Sequence, residues 1–229
     1  MRCSISKGKR MRFPIDVILV CIRWYAAYPL SYRHREEIME ERGVCVDHSS
    51  INRWAIRFLP LLEKAFRKHK RPVGGSWQMD ETYIKVKAVW KYLYRAVDKE
   101  GKTVDFLLTA KRDKAAARRF FDKALRDNDV PEKITMDKSG PNKAAIDEIN
   151  AGREIPSVVR QVKYLNNIVE QDHRAIKRVT RPILNFKSFQ SAKNVLAGIE
   201  LMHMIRKGQM IVAQENPMSF AEQFYALAA

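Results

Sequence analysis

Cysteine, acidic residues and long apolar runs are the features that this 229-residue sequence has little of. Its three cysteines, at positions 3, 21 and 45, form no CxxC pair. This scarcity argues against a disulfide framework or a zinc ribbon and favours a reducing, cytoplasmic setting. The longest apolar run covers residues 17–22, far short of the roughly 20 residues that a membrane helix needs. Without a cleavage site after that run, we expect neither a signal peptide nor a membrane partner.

Acidic side chains are outnumbered, since 43 Lys and Arg face 26 Asp and Glu, for a net charge of +17. Such a chain repels itself unless a polyanion is nearby, so nucleic acid is the leading class of partner. The hydrophobic fraction of 46% is enough to bury a sizeable core.

The basic charge is concentrated in the first third of the chain. Residues 1–75 hold 16 basic and 7 acidic side chains, and the rest hold 27 and 19. A cationic stretch with Pro and paired Gly at 67–75 indicates a boundary. We therefore predict a DNA-binding domain at 1–66, a basic linker at 67–75, a catalytic domain at 76–209 and a tail at 210–229.

The first region has the pattern of a helix-turn-helix. Apolar residues recur at helical spacing after Pro14, Ser31 can cap a second helix that stops at Gly43, and Asp47 can cap a third. Two short helices joined by a tight turn in a basic context are typical of the motif. An ordinary helical bundle with a solvated polar face is the alternative. The side chains on the third helix that could reach bases or phosphates are Ser49, Ser50, Asn52, Arg53 and Arg57.

The second region switches to strand periodicity. Residues 76–87, 89–98 and 102–109 are rich in β-branched and aromatic side chains. Helices at 113–127, 142–151 and 166–181 alternate with short strands at 133–137 and 157–164, and a last helix covers 189–207. The order β-β-β-α-β-α-β-α predicts an α/β fold of the RNase H-like class with a mixed sheet. Phe220, Phe224 and Tyr225 could dock the tail or mediate a subunit contact.

Three acids stand out within this pattern. Asp80 lies inside a strand, where a carboxylate is costly unless it is paired or bound to a cation. Asp137 lies where a strand stops, and ligand-binding residues favour the carboxyl ends of strands. Glu170 lies on a helix, followed on its own face by cations. Taken singly, each acid is more often a turn residue or a surface ion-pair partner. The candidate cationic or DNA-contacting side chains of that helix are His173, Arg174, Lys177 and Arg178.

Motifs across nearly the whole chain resemble one family. They are Tyr-Pro-Leu-Ser-Tyr at 28–32, Val-Asp-His-Ser-Ser at 46–50, Trp-Gln-Met-Asp-Glu-Thr-Tyr-Ile at 77–84, Trp-Lys-Tyr-Leu-Tyr-Arg-Ala-Val-Asp at 90–98, Asp-Lys-Ser at 137–139 and Tyr-Leu-Asn-Asn-Ile-Val-Glu-Gln-Asp-His-Arg-Ala-Ile-Lys at 164–177. The chain resembles bacterial DDE transposases of insertion-sequence family six, the cointegrate-forming type found on resistance elements. The spacing between Asp137 and Glu170 is 32 residues, about two shorter than is typical of the family.

The resemblance implies an enzyme that binds the terminal inverted repeats of its element and moves DNA. It implies that Asp80, Asp137 and Glu170 hold two divalent ions, Mg²⁺ or Mn²⁺ in its place, and that Lys177 contacts substrate DNA. Cleavage would free a 3′-OH end that then attacks target DNA at the same site.

Two other functions remain open at this point. A DNA-binding regulator on a transposase scaffold would neither cut nor join, and an RNase H-like nuclease would cut without joining. Pairing two double-stranded DNA ends needs at least two protomers, so we expect a homodimer acting in the bacterial cytoplasm at the nucleoid. The three acids do not indicate whether transposition is replicative or conservative.

Overall fold

The structure is a computed structural model that describes residues 12–162, 167–183, 186–212 and 218–228. It divides into two compact units, one of residues 1–71 and 176–229 and one of residues 72–175. The regular elements, in chain order, are α1 Ile15–Ala27, α2 Tyr32–Glu40, α3 His48–Phe66, β1 Ser76–Val86, β2 Val89–Asp98, β3 Thr103–Thr109, α4 Lys114–Asp127, β4 Lys133–Met136, α5 Gly140–Ala151, β5 Val158–Gln161, α6 Asn167–Thr180, α7 Phe189–Arg206 and α8 Phe220–Ala228.

The first unit is helical, and its second and third helices begin after the predicted caps Ser31 and Asp47, whereas α2 ends at Glu40, three residues before the predicted stop at Gly43. Ser31 caps α2 by accepting a hydrogen bond from the backbone N–H of His34. The Asp47 carboxylate caps α3 by accepting from the N–H groups of Ser49 and Ser50. Gly43 in the connecting turn has a φ of +72°, a conformation that glycine adopts without a Cβ clash. Helix α2, this turn and helix α3 follow one another in the order that a helix-turn-helix requires, and the motif itself stays a prediction.

The centre of this unit is the packing of α1 and α7 on α3. Gly198 of α7 lies so close to Leu59 that an added Cβ would be 2.5 Å from a Leu59 methyl carbon. The side chain of Asn194, one helical turn earlier, donates a hydrogen bond to the backbone carbonyl of Ile56. The buried residues that α3 contributes are Ser50, Ile51, Ala55, Phe58, Leu59, Leu62 and Phe66.

The substitution Gly198→Ala is expected to destabilise the protein by about 1–3 kcal/mol, because the new methyl overpacks the α3–α7 contact. At an exposed helical site the same change stabilises by about 1 kcal/mol. Urea unfolding measures the difference. The control is Gly152→Ala, where the nearest atom to an added Cβ is at 3.8 Å. Equal effects of the two changes would mean that α7 does not need this close approach.

The predicted tail at 210–229 contains a helix. Residues 220–228 form α8, and Phe224 is fully buried with its ring 5.9 Å from that of Phe66. Docking of the tail, one of the two roles considered for Phe224, is what the structure has. The linker also differs from the prediction. Lys70 pairs with Met210 in a β-bridge and Arg71 donates its N–H to Gln209, so residues up to 71 pack within the first unit.

The second unit is built on a five-stranded mixed sheet in the order β3-β2-β1-β4-β5. The first three strands are antiparallel, whereas β4 and β5 run parallel to β1. This order and these directions are those of an RNase H-like sheet, as predicted. The observed strand bounds lie within one residue of the predicted ones for β1 to β4. The predicted end of the last strand and start of the next helix, at 163–166, lie outside the described residues.

One face of this sheet is covered by α4 and α5. Trp77 and Met79 of β1 point into that core with Met136 of β4, and all three are at most 1% exposed. Because side chains alternate along a strand, Asp80 points to the opposite face. No helix among the described residues is long and apolar enough to cross a membrane.

Candidate active site

Strand register brings the first two predicted acids together. In the parallel pair of β1 and β4, Met79 lies beside Met136, so the next residues, Asp80 and Asp137, follow at adjacent positions. Asp80 points to the face away from Met79, because side chains alternate along a strand. Asp137 directly follows Met136, the last residue of β4, and begins the loop before α5.

The third acid approaches the same face from α6. Burial raises the pKa of the Asp80 carboxyl to about 7, and the negative charges of Glu81, Asp137 and Glu170 add to that effect, while the backbone N–H of Glu81 opposes it. The charges of Asp137 and Glu170 are therefore close enough to influence Asp80. Glu170 itself is exposed in the first turn of α6.

His173 lies elsewhere than the sequence pattern suggests. We expected it among the exposed cations of α6, but its side chain is 6% exposed, and its Nδ1 atom is 3.7 Å from Oδ2 of Asp80. That separation is too long for a hydrogen bond, and it is within the range of an ion pair when the imidazole is protonated. His173 therefore lies beside Asp80, on the side of α6 that is buried.

A buried ion pair fastens α6 to the sheet. Arg95 of β2 is opposite Asp80 in the antiparallel register. Its Nη2 donates a hydrogen bond of 2.6 Å to Oδ2 of Asp172, with the two side chains 0% and 8% exposed. Charge-assisted pairs of this kind are costly to break when they are buried. Since Asp172 is two residues after Glu170 on α6, this ion pair also fixes the position of Glu170 relative to the sheet.

A second set of contacts lies on the other face of β1, and we call it the Glu81 clamp. The Glu81 carboxylate accepts a hydrogen bond of 2.8 Å from the amide of Asn142 and bonds of 3.2 and 3.3 Å from Arg112. Asn142 belongs to the first turn of α5, directly after the Asp137 loop. The clamp therefore fixes the Asp137 loop against β1.

The donor chemistry of the three acids fits hard divalent cations, which prefer carboxylate oxygens. Within the described ranges, no three His, Cys, Asp or Glu side chains are grouped closely enough to hold an ion together. Like charges repel, and this repulsion contributes to the raised pKa of Asp80. A cation between the carboxylates would turn that repulsion into attraction.

The remaining cations of α6 share one side of the helix with Glu170. Arg174 and Arg178 are exposed, and Lys177 is half-buried, two turns after Glu170. Spacings of four, seven and eight place them along one helical face. The buried face of the same helix carries Val169 and Ile176.

Side chains of α3 predicted to contact DNA divide into two groups. Ser49, Arg53 and Arg57 are exposed at a spacing of four, so they lie on one face. Ser50, in contrast, is 8% exposed, and it donates to Asp47 while accepting from Arg53. Asn52 is half-buried and accepts a 3.4 Å hydrogen bond from the Tyr25 hydroxyl. Capping and packing therefore occupy Ser50, whereas the arginines stay accessible.

Sequence reasoning missed the side chains that position the acids. These are Arg95 and Asp172, which fasten α6, and Glu81 with its partners. The sequence carries one signal for the first pair: Arg95 interrupts the apolar stretch 92–97 of β2, where a charge needs a partner.

Comparison with known proteins gives a close match in sequence. The family model described as a DDE domain matches residues 74–209. The transposase for the insertion sequence-like element IS431mec of Staphylococcus aureus (strain Mu50) is 41% identical over 198 residues, 86% of this chain and 87% of the relative. The transposase for insertion sequence element IS257 in transposon Tn4003 of S. aureus is 40% identical over the same length.

Among solved structures, the similarity is remote. The HTLV-2 integrase catalytic core domain in complex with magnesium has a TM-score of 0.41 and 15% identity, over 67% of this chain and 95% of that one. The catalytic core domain of BIV integrase has a TM-score of 0.42 and 15% identity, over 66% and 94%. On the family match and the sequence relatives, the chain belongs to the DDE transposases of insertion-sequence family six, and it is a polynucleotidyl transferase.

Proposed function

We propose that this transposase binds the terminal inverted repeats of its element, cleaves the 3′ ends and joins them to target DNA. The observation that carries the proposal is the parallel pairing of β1 and β4 up to Met79 and Met136, which Asp80 and Asp137 directly follow, together with the effect of the Glu170 charge on Asp80. These three acids are the proposed catalytic and metal-binding residues.

Phosphodiester chemistry explains why three acids are needed. Two divalent ions, Mg²⁺ or Mn²⁺, would activate the attacking oxygen and stabilise the leaving oxygen of an in-line displacement at phosphorus. Asp80, Asp137 and Glu170 would hold them, and Arg95 and Glu81 keep the elements that carry these acids in register. No Ser, Tyr or Cys nucleophile is required, because water and then the freed 3′-OH are the attacking groups.

The cations supply the binding of the DNA backbone. Arg174, Lys177 and Arg178 follow Glu170 on the exposed side of α6, and we propose that they hold the phosphates next to the scissile bond. His173 is buried beside Asp80, so we propose that it supports Asp80 and does not contact DNA directly. Binding that uses this many cations is expected to weaken steeply with salt.

The helix-turn-helix supplies sequence recognition in this proposal. Ser49, Arg53 and Arg57 lie on the exposed side of α3 and are the side chains proposed to enter the major groove. Asn52 can join them if its bond to Tyr25 opens. Ser50 has a supporting part, since it orders Arg53 through a 2.9 Å hydrogen bond.

The substitution Arg53→Ala is expected to weaken binding to the inverted repeat by roughly tenfold or more, because a side chain that reads a base edge contributes about 1–3 kcal/mol. Binding to random duplex DNA is expected to change much less. Fluorescence anisotropy with both duplexes measures the ratio. The control is Lys68→Ala, which removes one exposed positive charge just after α3 and should lower both affinities equally. Equal losses for Arg53→Ala would make this helix a phosphate binder only.

One assay separates the proposal from the two alternatives. Purified protein, Mg²⁺, a labelled duplex that ends in the inverted repeat and a supercoiled plasmid are combined. A transposase of the proposed kind transfers label to the plasmid, a nuclease only cuts the duplex, and a regulator only binds it. We further propose a homodimer in the bacterial cytoplasm, because two DNA ends must be held together.

A further inference from the structure

The tip of the β1–β2 hairpin carries an exposed group of aromatic and cationic side chains. Of the aromatic side chains in the described ranges, only Tyr83 and Trp90 are exposed, at 49% and 57%. Their rings meet edge to face at a centroid distance of 6.3 Å, and Tyr83 also contacts Tyr92 at 5.5 Å. We call Tyr83, Lys85, Trp90 and Tyr92 the hairpin platform.

These four side chains share one face of the hairpin. Tyr83 is opposite Tyr92, and Lys85 is opposite Trp90, in the antiparallel register. Cross-strand pairs stabilise a hairpin, but that role does not require half of each outer ring to face solvent. The platform continues the face that α4 and α5 cover further along the sheet, and it begins where that cover ends.

The charge around the platform is positive. Residues 82–92 include three lysines and no acid, and the ammonium of Lys85 lies 5.7 Å from the centre of the Trp90 ring. The nearest acid along β1 is Glu81, whose carboxylate is 4% exposed and paired with Arg112. A partner that fits must therefore bring flat apolar faces and negative charge together.

We propose that the hairpin platform stacks the bases of an unpaired stretch of the DNA substrate. A single strand offers both π-faces and phosphates, whereas a duplex hides the faces of its bases. Trp90 and Tyr83 would stack on bases, and Lys85 would hold the neighbouring phosphate. The proposal rests on the proposed function in that DNA is the substrate, but it adds a contact surface on the sheet face opposite to Asp80.

The test uses the full-length protein with a labelled 12-nucleotide single strand that contains 2-aminopurine, whose fluorescence falls when it stacks. The substitution Trp90→Ala is expected to weaken single-strand binding by roughly tenfold and to abolish the 2-aminopurine quenching. Duplex binding is expected to stay within about twofold, because the stacking term of single-strand binding does not enter it. Trp90→Phe should restore part of both signals, since it keeps an aromatic ring.

The matched control is Val89→Ala. Val89 is 54% exposed, belongs to the same hairpin and points to its other face, so both signals should be unchanged. An unaltered affinity of Trp90→Ala for the single strand, or an equal loss on duplex, would overturn the proposal. So would dissociation of a dimer by Trp90→Ala with single-strand binding intact, because the platform would then be a protein interface. Asp80→Asn should keep the quenching, so failure of the catalytic assignment and failure of the platform give different results.

Discussion

The substitution Asp80→Asn is expected to lower strand transfer by roughly a thousandfold or more. The reason is that stabilisation of charge by bound divalent ions contributes several kcal/mol at the transition state, and each 1.36 kcal/mol is tenfold in rate. Asn keeps the shape of the side chain but cannot bind such ions as an anion. Transfer of labelled inverted-repeat ends to plasmid measures the effect, and duplex binding is expected to stay within about twofold because the cations are untouched.

The control for this prediction is Asp129→Asn, which removes an exposed carboxylate from the loop between α4 and β4. Its transfer rate should equal that of the unchanged protein. If Asp80→Asn retains a tenth or more of the rate, Asp80 does not hold a catalytic ion and the assignment of the triad is wrong.

The second large effect of Asp80→Asn is on stability. The substitution that lowers strand transfer is expected to stabilise the metal-free protein. Burial and neighbouring negative charge raise the pKa of Asp80 from 3.8 to about 7. The folded protein therefore holds a proton that the unfolded chain releases, so the stability from this group is full below about pH 4 and is lost as pH rises to about 7. The corresponding free energy is about 4 kcal/mol. In EDTA at pH 8, Asp80→Asn should thus be more stable than the unchanged protein.

Urea unfolding of both proteins between pH 4 and 8 measures this difference, and the titrating groups that do not interact with Asp80 cancel between them. Adding Mg²⁺ at pH 8 should narrow the gap, because an ion that binds only the folded protein stabilises the form with the carboxylate. A pH-independent difference, or a less stable Asp80→Asn protein at pH 8, would show that the folded protein does not raise the pKa of Asp80.

Local signals in the sequence account for the parts of the fold that it predicts. Alternating apolar residues end at Asp137, and Ser31 and Asp47 are side chains that cap helices, so short stretches of sequence are enough to place these positions. The mid-strand position of Asp80 follows from the same alternation. The register of β1 against β4 then brings the two aspartates near each other. A parallel pairing of strands joined by a long connection cannot be predicted from any short stretch of the sequence.

Interactions between distant positions account for what the sequence leaves out. The ion pair of Arg95 and Asp172 joins residues that are 77 positions apart. Neither residue by itself indicates which residue it pairs with. Ser50 is of a type that can contact bases in the major groove, but its hydroxyl donates a hydrogen bond to the Asp47 carboxylate that caps α3. The docking of Phe224 on Phe66 likewise depends on a pocket formed by residues far along the chain.

The most direct test of the proposed catalytic triad is the transfer of an end-labelled inverted-repeat duplex to a supercoiled plasmid in Mg²⁺, with Asp80→Asn, Asp137→Asn and Glu170→Gln run in parallel. We expect covalent joining by the unchanged protein, its loss in EDTA and its loss in each of the three variants, with duplex binding retained. Joining that survives any one of the three substitutions would contradict the triad.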